Sequence, residues 1–147
     1  MSTIKAGNDF QDWVTKFLRK EGWDVYNQKV ITRLIVTGSG KRIWHSGRQD
    51  LFACDIIALQ KNRKVLFIQA TLASGIKKRL TEFQKYAFPL DHCQVELWIK
   101  RKEGEITIKE YYDNDLHDTC KIIRGKRYYA ENLLRGKRYF KTEESLH

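Results

Sequence analysis

The chain has 147 residues, of which 41% are hydrophobic and 31% charged, a balance typical of globular rather than disordered proteins. No apolar run approaches the roughly 18 residues needed to cross a bilayer, and the N-terminus lacks the apolar stretch of a signal peptide, so we expect a soluble cytoplasmic protein. Its 28 Lys and Arg residues against 18 Asp and Glu residues give a net charge of +10, which attracts polyanions and favours nucleic acid over a membrane as the partner.

The first predicted element is a helix over residues 9–21. Its apolar residues recur at the spacing of one buried stripe, formed by Phe10, Trp13, Val14, Phe17 and Leu18. Asn8 and Gln11 have the spacing of an N-cap and its capping-box partner. Gly22 is expected to end the helix, and residues 23–26 begin an extended segment.

Four segments predict the strands that follow. Residues 30–37 and 42–44 are rich in β-branched side chains around a glycine-containing turn, which predicts a β-hairpin. Residues 51–59 and 64–72 are short apolar runs joined by a polar turn, a pattern typical of strands buried on both faces.

A second helix is predicted after Ser74, which is a candidate N-cap, and Pro89 is expected to end it. Its apolar stripe comprises Ile76, Leu80, Phe83 and Ala87. Residues 94–99 and 106–112 then predict a pair of strands. This order of elements predicts an α/β fold with a mixed central β-sheet flanked by helices.

Residues 1–147 show no linker-like change in composition, so we expect a single domain with a basic aromatic C-terminal segment over residues 121–147. That segment holds a repeat, because residues 124–129 (RGKRYY) return as residues 135–140 (RGKRYF). Cations beside aromatic rings suit phosphate contact and base stacking, so the candidate nucleic-acid-binding residues are Lys126, Arg127, Lys137 and Arg138. The alternative is a pair of ordinary strand starts with inward aromatics and solvated cations.

The candidate chemical site centres on Asp55, a carboxylate within the apolar run 51–59. Burying such a charge costs several kcal/mol unless the group is paired or binds a metal. On the following strand, Gln69 and Thr71 share one face because strand side chains alternate. Magnesium prefers oxygen ligands and typically takes one or two carboxylates. Asp55 and Gln69 are therefore candidate ligands for Mg²⁺.

The segments at residues 54–58 (CDIIA) and 67–71 (FIQAT) resemble the core of the PD-(D/E)XK nuclease superfamily. The opening helix, with residues 17–25 at its end, is similar in layout to the archaeal-type Holliday-junction resolvases of that superfamily. The resemblance covers about residues 7–99. It implies a restriction-endonuclease-like core and a Mg²⁺-dependent endodeoxyribonuclease, with Mn²⁺ as a substitute metal. It also implies a homodimer that acts on branched DNA in recombination.

Within this resemblance, Asp55 takes the place of the metal-binding aspartate and Gln69 that of the second acid. Thr71 stands where the superfamily usually has its catalytic lysine, and Gln11 stands where resolvases usually carry a glutamate. Lys77, at the start of the second predicted helix, is the candidate replacement for the lysine. Of these positions, only Asp55 holds the residue type that is usual in the superfamily. A single carboxylate is expected to hold magnesium weakly.

Each of these residues also has a purely structural interpretation. Gln11 suits helix capping, Thr71 suits any strand, and Lys77 suits a solvated helix face. Gln69 suits a buried hydrogen-bonded amide, and Asp55 suits a salt-bridged aspartate.

His45 after the hairpin strand is either a general base or a polar edge residue. Three scattered cysteines, Cys54, Cys93 and Cys120, favour reduced thiols. With the four histidines, they lack the spacing of a zinc site, and no small-molecule cofactor is expected.

The sequence is also compatible with two alternative functions. One is a homing or restriction-type endonuclease with the same core, which would contact base edges as well as phosphates. The other is a non-catalytic DNA-binding module on a nuclease scaffold whose active site has decayed, because resemblance of fold does not establish activity.

Overall fold

A computed structural model describes residues 3–28, 31–47, 51–131 and 139–142. In chain order the elements are α1 (Thr3–Lys20), β1 (Asp24–Asn27), β2 (Ile31–Val36), β3 (Arg42–Gly47), β4 (Ile56–Leu59), β5 (Val65–Leu72), α2 (Ile76–Phe83), β6 (Cys93–Lys100), β7 (Glu105–Tyr112), β8 (Asp115–Ile123), β9 (Lys126–Glu131) and β10 (Tyr139–Thr142). A single 3-10 turn, Lys102–Gly104, joins β6 to β7. No helix within these ranges has the length and apolarity required to cross a bilayer.

Eight of the strands form one mixed sheet in the order β1-β4-β5-β6-β7-β8-β9-β10. The pair β5 and β6 is parallel because α2 crosses between them, and the other neighbouring pairs are antiparallel. Strands β2 and β3 form the predicted hairpin as a separate antiparallel pair. The expected α/β class with a mixed sheet is therefore confirmed.

Helix α1 packs on one face of the sheet through most of the predicted stripe, but Trp13, which was expected to be buried in it, is 37% exposed. Phe10, Val14 and Leu18 are buried against a cluster that includes Ile68 and Trp98. Because the helix begins at Thr3 rather than near residue 9, the expectation that Asn8 and Gln11 cap its start is wrong. Both residues lie inside the helix.

The end of α1 follows the prediction. Gly22 adopts a φ of 94°, in the left-handed region where glycine is relaxed. Trp23 N then donates to Leu18 O at 3.0 Å, which closes the helix end. The chain turns there and enters β1.

Helix α2 packs on the opposite face. Ile76, Leu80 and Phe83 contact the second core cluster, whose members include Val95 and Leu97. Strand alternation explains the two faces, because Leu97 joins this cluster whereas its neighbour Trp98 joins the one beneath α1.

Both predicted ends of α2 differ from the observed ones. Gly75, at a φ of 88°, occupies the N-cap position without a side-chain hydrogen bond, so Ser74 is not the cap. The helix ends at Phe83, well before Pro89, and Ala87 is exposed instead of lying in the stripe. Beyond the helix, the ring of Phe88 lies 6.3 Å from that of Phe83.

The strand expected over residues 51–59 begins only at Ile56. Phe52 and Ala53 have φ values of 54° and 63°, in the left-handed region, and Cys54 N donates to Leu51 O at 3.1 Å. The first part of the apolar run is therefore a tight turn, and Asp55 lies between this turn and β4.

The C-terminal half extends the sheet beyond the predicted strands. Arg124 and Gly125, with φ values of 52° and 79°, form the hairpin turn between β8 and β9. The first copy of the repeat is thus a turn followed by β9, in which Tyr129 packs against the core cluster beneath α1. In the second copy, residues 135–138 lie outside the described ranges.

Candidate metal site and second polar cavity

Asp55 is held by the main chain where three strands meet. Its N–H donates to Ile68 O in β5 at 2.9 Å, and its carbonyl accepts from the N–H of Gln28, just after β1, at 2.9 Å. The side chain is fully buried. The main-chain position of Asp55 is therefore set by hydrogen bonds to both neighbouring segments.

Gln69 lies beside Asp55, as the sequence predicts. The register pairs Ile56 with Ile68, so its continuation brings Asp55 alongside Gln69. The Gln69 amide is buried, and its Nε2 donates to Ala70 O at 3.1 Å. Its carbonyl oxygen Oε1 is also buried and has no hydrogen-bond partner among the described residues.

Gln28 is a member of this group that the sequence did not reveal. The register pairs Asn27 with Ile56, so Gln28 comes alongside Asp55. Its Oε1 is buried and, within the described ranges, has no hydrogen-bond partner. The available signal was a polar residue directly after a short strand, which is also typical of a solvated loop.

Gln11 contacts the site from α1. It is 3% exposed, and its Nε2 donates to Gln28 O at 2.5 Å and to Asn27 Oδ1 at 3.1 Å. Asn27 in turn donates to Asp12 Oδ1 at 3.0 Å. Gln11 therefore fixes the chain that presents Gln28, which is a positioning role.

The other two predicted catalytic residues, Thr71 and Lys77, are not part of this group of buried oxygen atoms. Thr71 is buried and shares the Gln69 face of β5, but its hydroxyl donates to Leu72 O at 3.2 Å. Lys77 is exposed on the first turn of α2. His45 lies in β3, and its side chain is outside the described part of the structure.

The chemistry of this group suits a hard cation. The Asp55 carboxylate and the carbonyl oxygens of Gln28 and Gln69 are oxygen donors of the class that Mg²⁺ and Ca²⁺ prefer. No cluster of three or more His, Cys, Asp or Glu side chains occurs in the described ranges. The donor set thus carries one negative charge and fits a weakly held divalent ion.

Arg127, in the first copy of the repeat, lacks the exposure that a contact with a phosphate requires. Its Nη2 donates to Glu21 Oε1 at 2.6 Å and its Nε to Glu21 Oε2 at 2.9 Å, and its side chain is 11% exposed. The guanidinium also lies 5.3 Å from the Trp98 ring centroid and 5.4 Å from that of Phe17. Burial lowers the pKa of Arg127, but the hydrogen bonds and charge of Glu21 more than reverse this effect.

Arg127 is therefore an internal cation that ties α1 to β9, contrary to its expected role in nucleic-acid binding. Of the other residues expected to contact nucleic acid, Lys126 is exposed. Lys137 and Arg138 lie outside the described ranges. The inward Tyr129 and the solvated Lys126 match the structural interpretation of the first copy of the repeat.

Arg127 also lines a polar cavity of about 760 Å³ between the end of α1 and strands β6–β9. Glu96 is buried in its wall and accepts hydrogen bonds from Trp98 Nε1 at 3.0 Å and Gln94 Nε2 at 2.9 Å. Burial raises the pKa of Glu96. The pKa of its cross-strand partner Glu110 is also raised, mainly by burial and to a lesser extent by the charge of Glu96.

No protein-family model, curated protein or solved structure matches this chain.

Replacing Arg127 with Ala should destabilise the protein, because it leaves Glu21 without its partner in a half-buried position. Breaking such a pair costs about 3 kcal/mol of unfolding free energy, whereas the neighbouring Lys126→Ala should change it by less than about 0.5 kcal/mol. Urea unfolding measures both values. Equal effects of the two variants would contradict the internal role of Arg127.

The unfolding free energy should fall as pH rises above the ordinary glutamate pKa of 4.5, because Glu96 has a raised pKa in the folded state. The folded chain then binds more protons than the unfolded chain, so ionisation of Glu96 favours unfolding. Glu96→Gln should flatten this profile at pH values above 4.5. Urea unfolding across that range tests the slope, and a ¹³C titration of the carboxyl group in the wild type gives the pKa directly. A Glu96 pKa at or below 4.5 would contradict the assignment.

Proposed function

We propose that this protein is a Mg²⁺-dependent endodeoxyribonuclease with a restriction-endonuclease-like core, similar to the PD-(D/E)XK superfamily. The observation that supports it is the buried Asp55 carboxylate placed beside Gln69 and Gln28, whose carbonyl oxygens have no hydrogen-bond partner within the described ranges. A buried group of oxygen donors is typical of a cation site.

The path of the chain also supports the proposal. A helix precedes the strands, Asp55 comes directly before β4, and Gln69 and Thr71 lie on the antiparallel neighbour β5. Helix α2 then crosses to the parallel strand β6. This order of helix, strands, crossover helix and strand is the one that the resemblance implies.

In this proposal Asp55 and Gln69 hold the metal, and Gln28 adds a third oxygen. A bound Mg²⁺ supplies an activated water and neutralises charge that develops on the phosphate. Gln11 keeps Gln28 in place through its two hydrogen bonds. Lys77 lies on the exposed first turn of α2, where a cation can contact the phosphate backbone.

The proposed substrate is DNA, and branched DNA in particular. The net charge of +10 favours a polyanionic partner. The preference for branched DNA and the homodimer follow from the likeness to Holliday-junction resolvases, because two strands of a junction require two active sites. A homing or restriction-type endonuclease has the same core and is the nearest alternative enzyme.

A second candidate function is a DNA-binding module without catalytic activity. The observation that favours it is the burial of Asp55 and Gln69, at 0% and 1% exposure, together with a donor set that has a single carboxylate. Groups this deeply buried are not accessible to a phosphate of duplex DNA. In this candidate the basic surface alone contacts DNA.

Replacing Asp55 with Asn should abolish Mg²⁺-dependent or Mn²⁺-dependent nicking of branched DNA, because the site loses its carboxylate. The same variant should lose the rise in Tm that the divalent ion produces in the wild type, since an ion that binds the folded state stabilises it. Asp91→Asn is the matched control because Asp91 is an exposed aspartate. The measurements are a gel-based cleavage assay and thermal unfolding with Mg²⁺, Mn²⁺ or EDTA.

DNA affinity measured in EDTA should be the same for the wild type and for Asp55→Asn. Tight binding without cleavage by the wild type, in either metal, would favour the DNA-binding module. Cleavage that persists in Asp55→Asn would contradict the proposed site.

A further inference from the structure

Two exposed aromatic rings lie in contact beside the candidate site. Phe52 is 56% exposed and Tyr86 is 37% exposed. Their ring centroids are 5.7 Å apart, with the planes at 80°. We call Phe52 and Tyr86 the exposed ring pair.

The exposed ring pair is adjacent to Asp55 in the fold. Phe52 lies in the tight turn that ends immediately before Asp55, and Tyr86 follows the end of α2. Gln69 shares its face of β5 with Phe67, which packs in the core cluster beneath α2. The ring pair and the side chain of Gln69 are therefore on the same side of the sheet.

The conformation of Phe52 is unfavourable for its residue type. Its φ of 54° lies in the left-handed region, which bulky side chains rarely adopt. Strain of this kind costs on the order of 1–3 kcal/mol and clusters at functional sites. Phe52 therefore holds its exposed ring in a backbone conformation whose strain a glycine or asparagine would relieve.

The exposed ring pair is anchored to the interior by further rings. The Tyr86 ring lies 6.1 Å from Phe88, and Phe88 lies 6.3 Å from Phe83 and 6.1 Å from Tyr111. Phe83 and Tyr111 are both buried. The exposed rings are thus held in place before any ligand binds, which reduces the entropy lost on binding.

We propose that Phe52 and Tyr86 form a stacking platform for an unpaired nucleobase beside the turn that leads into Asp55. Base–aromatic stacking contributes about 1–3 kcal/mol per base, and bases inside a continuous duplex are not available for it. The inference rests on the proposed function and specifies its substrate class: DNA that carries unpaired bases at a branch point.

The charge around the ring pair supports a nucleic-acid occupant over a protein. Lys85 is exposed and directly precedes Tyr86. Cations beside aromatic faces contact the phosphates that flank a stacked base. The apolar surface consists of two rings, which is small for a stable protein interface.

The test uses forked DNA with 2-aminopurine at an unpaired position of the fork and a continuous duplex with the same base. Both are titrated in EDTA, so that cleavage does not contribute. The wild type should quench the fluorescence of the forked probe and bind it more tightly than the duplex. Phe52→Ala and Tyr86→Ala should remove the quenching and lower affinity for the fork about 10-fold, the equivalent of a stacked base. Affinity for the duplex should stay unchanged.

Two further variants separate stacking from loss of structure. Tyr86→Phe keeps the ring and should retain both quenching and affinity. Trp13→Ala is the matched control, because Trp13 is also 37% exposed and rests on an inner ring, that of Phe17 at 5.2 Å, but lies on α1. It should leave the quenching intact.

The outcomes distinguish this inference from the proposed enzyme. Quenching that survives in Phe52→Ala and Tyr86→Ala, or a wild type that does not bind the fork, would overturn the platform. Quenching by a wild type that cleaves no DNA in any metal would support the platform while the enzyme proposal fails. Asp55→Asn should quench as the wild type does.

Discussion

The seating of α1 on the central strands is the contact on which the rest of the structure depends. Phe10, Val14 and Leu18 are buried along one stripe, and each contributes about 1.5–3 kcal/mol by leaving water. The same helix carries Gln11 to the candidate metal site and leads into Glu21, the partner of Arg127. Because one rigid helix reaches both polar regions, a shift of its position would disturb both of them together.

The sequence predicted those elements whose periodicity is unbroken. The stripe of α1, the β2–β3 hairpin and the strands β5, β6 and β7 follow from apolar spacing, which reflects one buried face. The start of β4 was predicted wrongly because the apolar run over residues 51–59 contains no turn residue. Phe52 and Ala53 adopt left-handed conformations that their residue types rarely take. Tertiary packing imposed a turn that local preference opposes.

The candidate site was predictable in part for a similar reason. Asp55 and Gln69 are conspicuous because each is polar within an apolar run of the sequence, and the register brings them side by side. Gln28 is not conspicuous, since a polar residue after a strand is ordinary. Arg127 was misassigned because its partner Glu21 is 106 positions away, and no local pattern reveals so distant an ion pair. From sequence alone, a charged residue is expected to be solvated or to bind a ligand, because its ion-pair partner in the fold is not known.

That distance between Glu21 and Arg127 has a consequence for biosynthesis. Helix α1 emerges from the ribosome first, whereas the guanidinium that holds its end emerges only with β9. Nascent chains that end before β9 leave Glu21 and the rings around it uncovered, and surfaces of this kind recruit chaperones or aggregate. Closure of so long a loop is a slow event. The ion pair therefore forms only after β9 has emerged, and the vulnerable period is the interval between the appearance of α1 and that of β9.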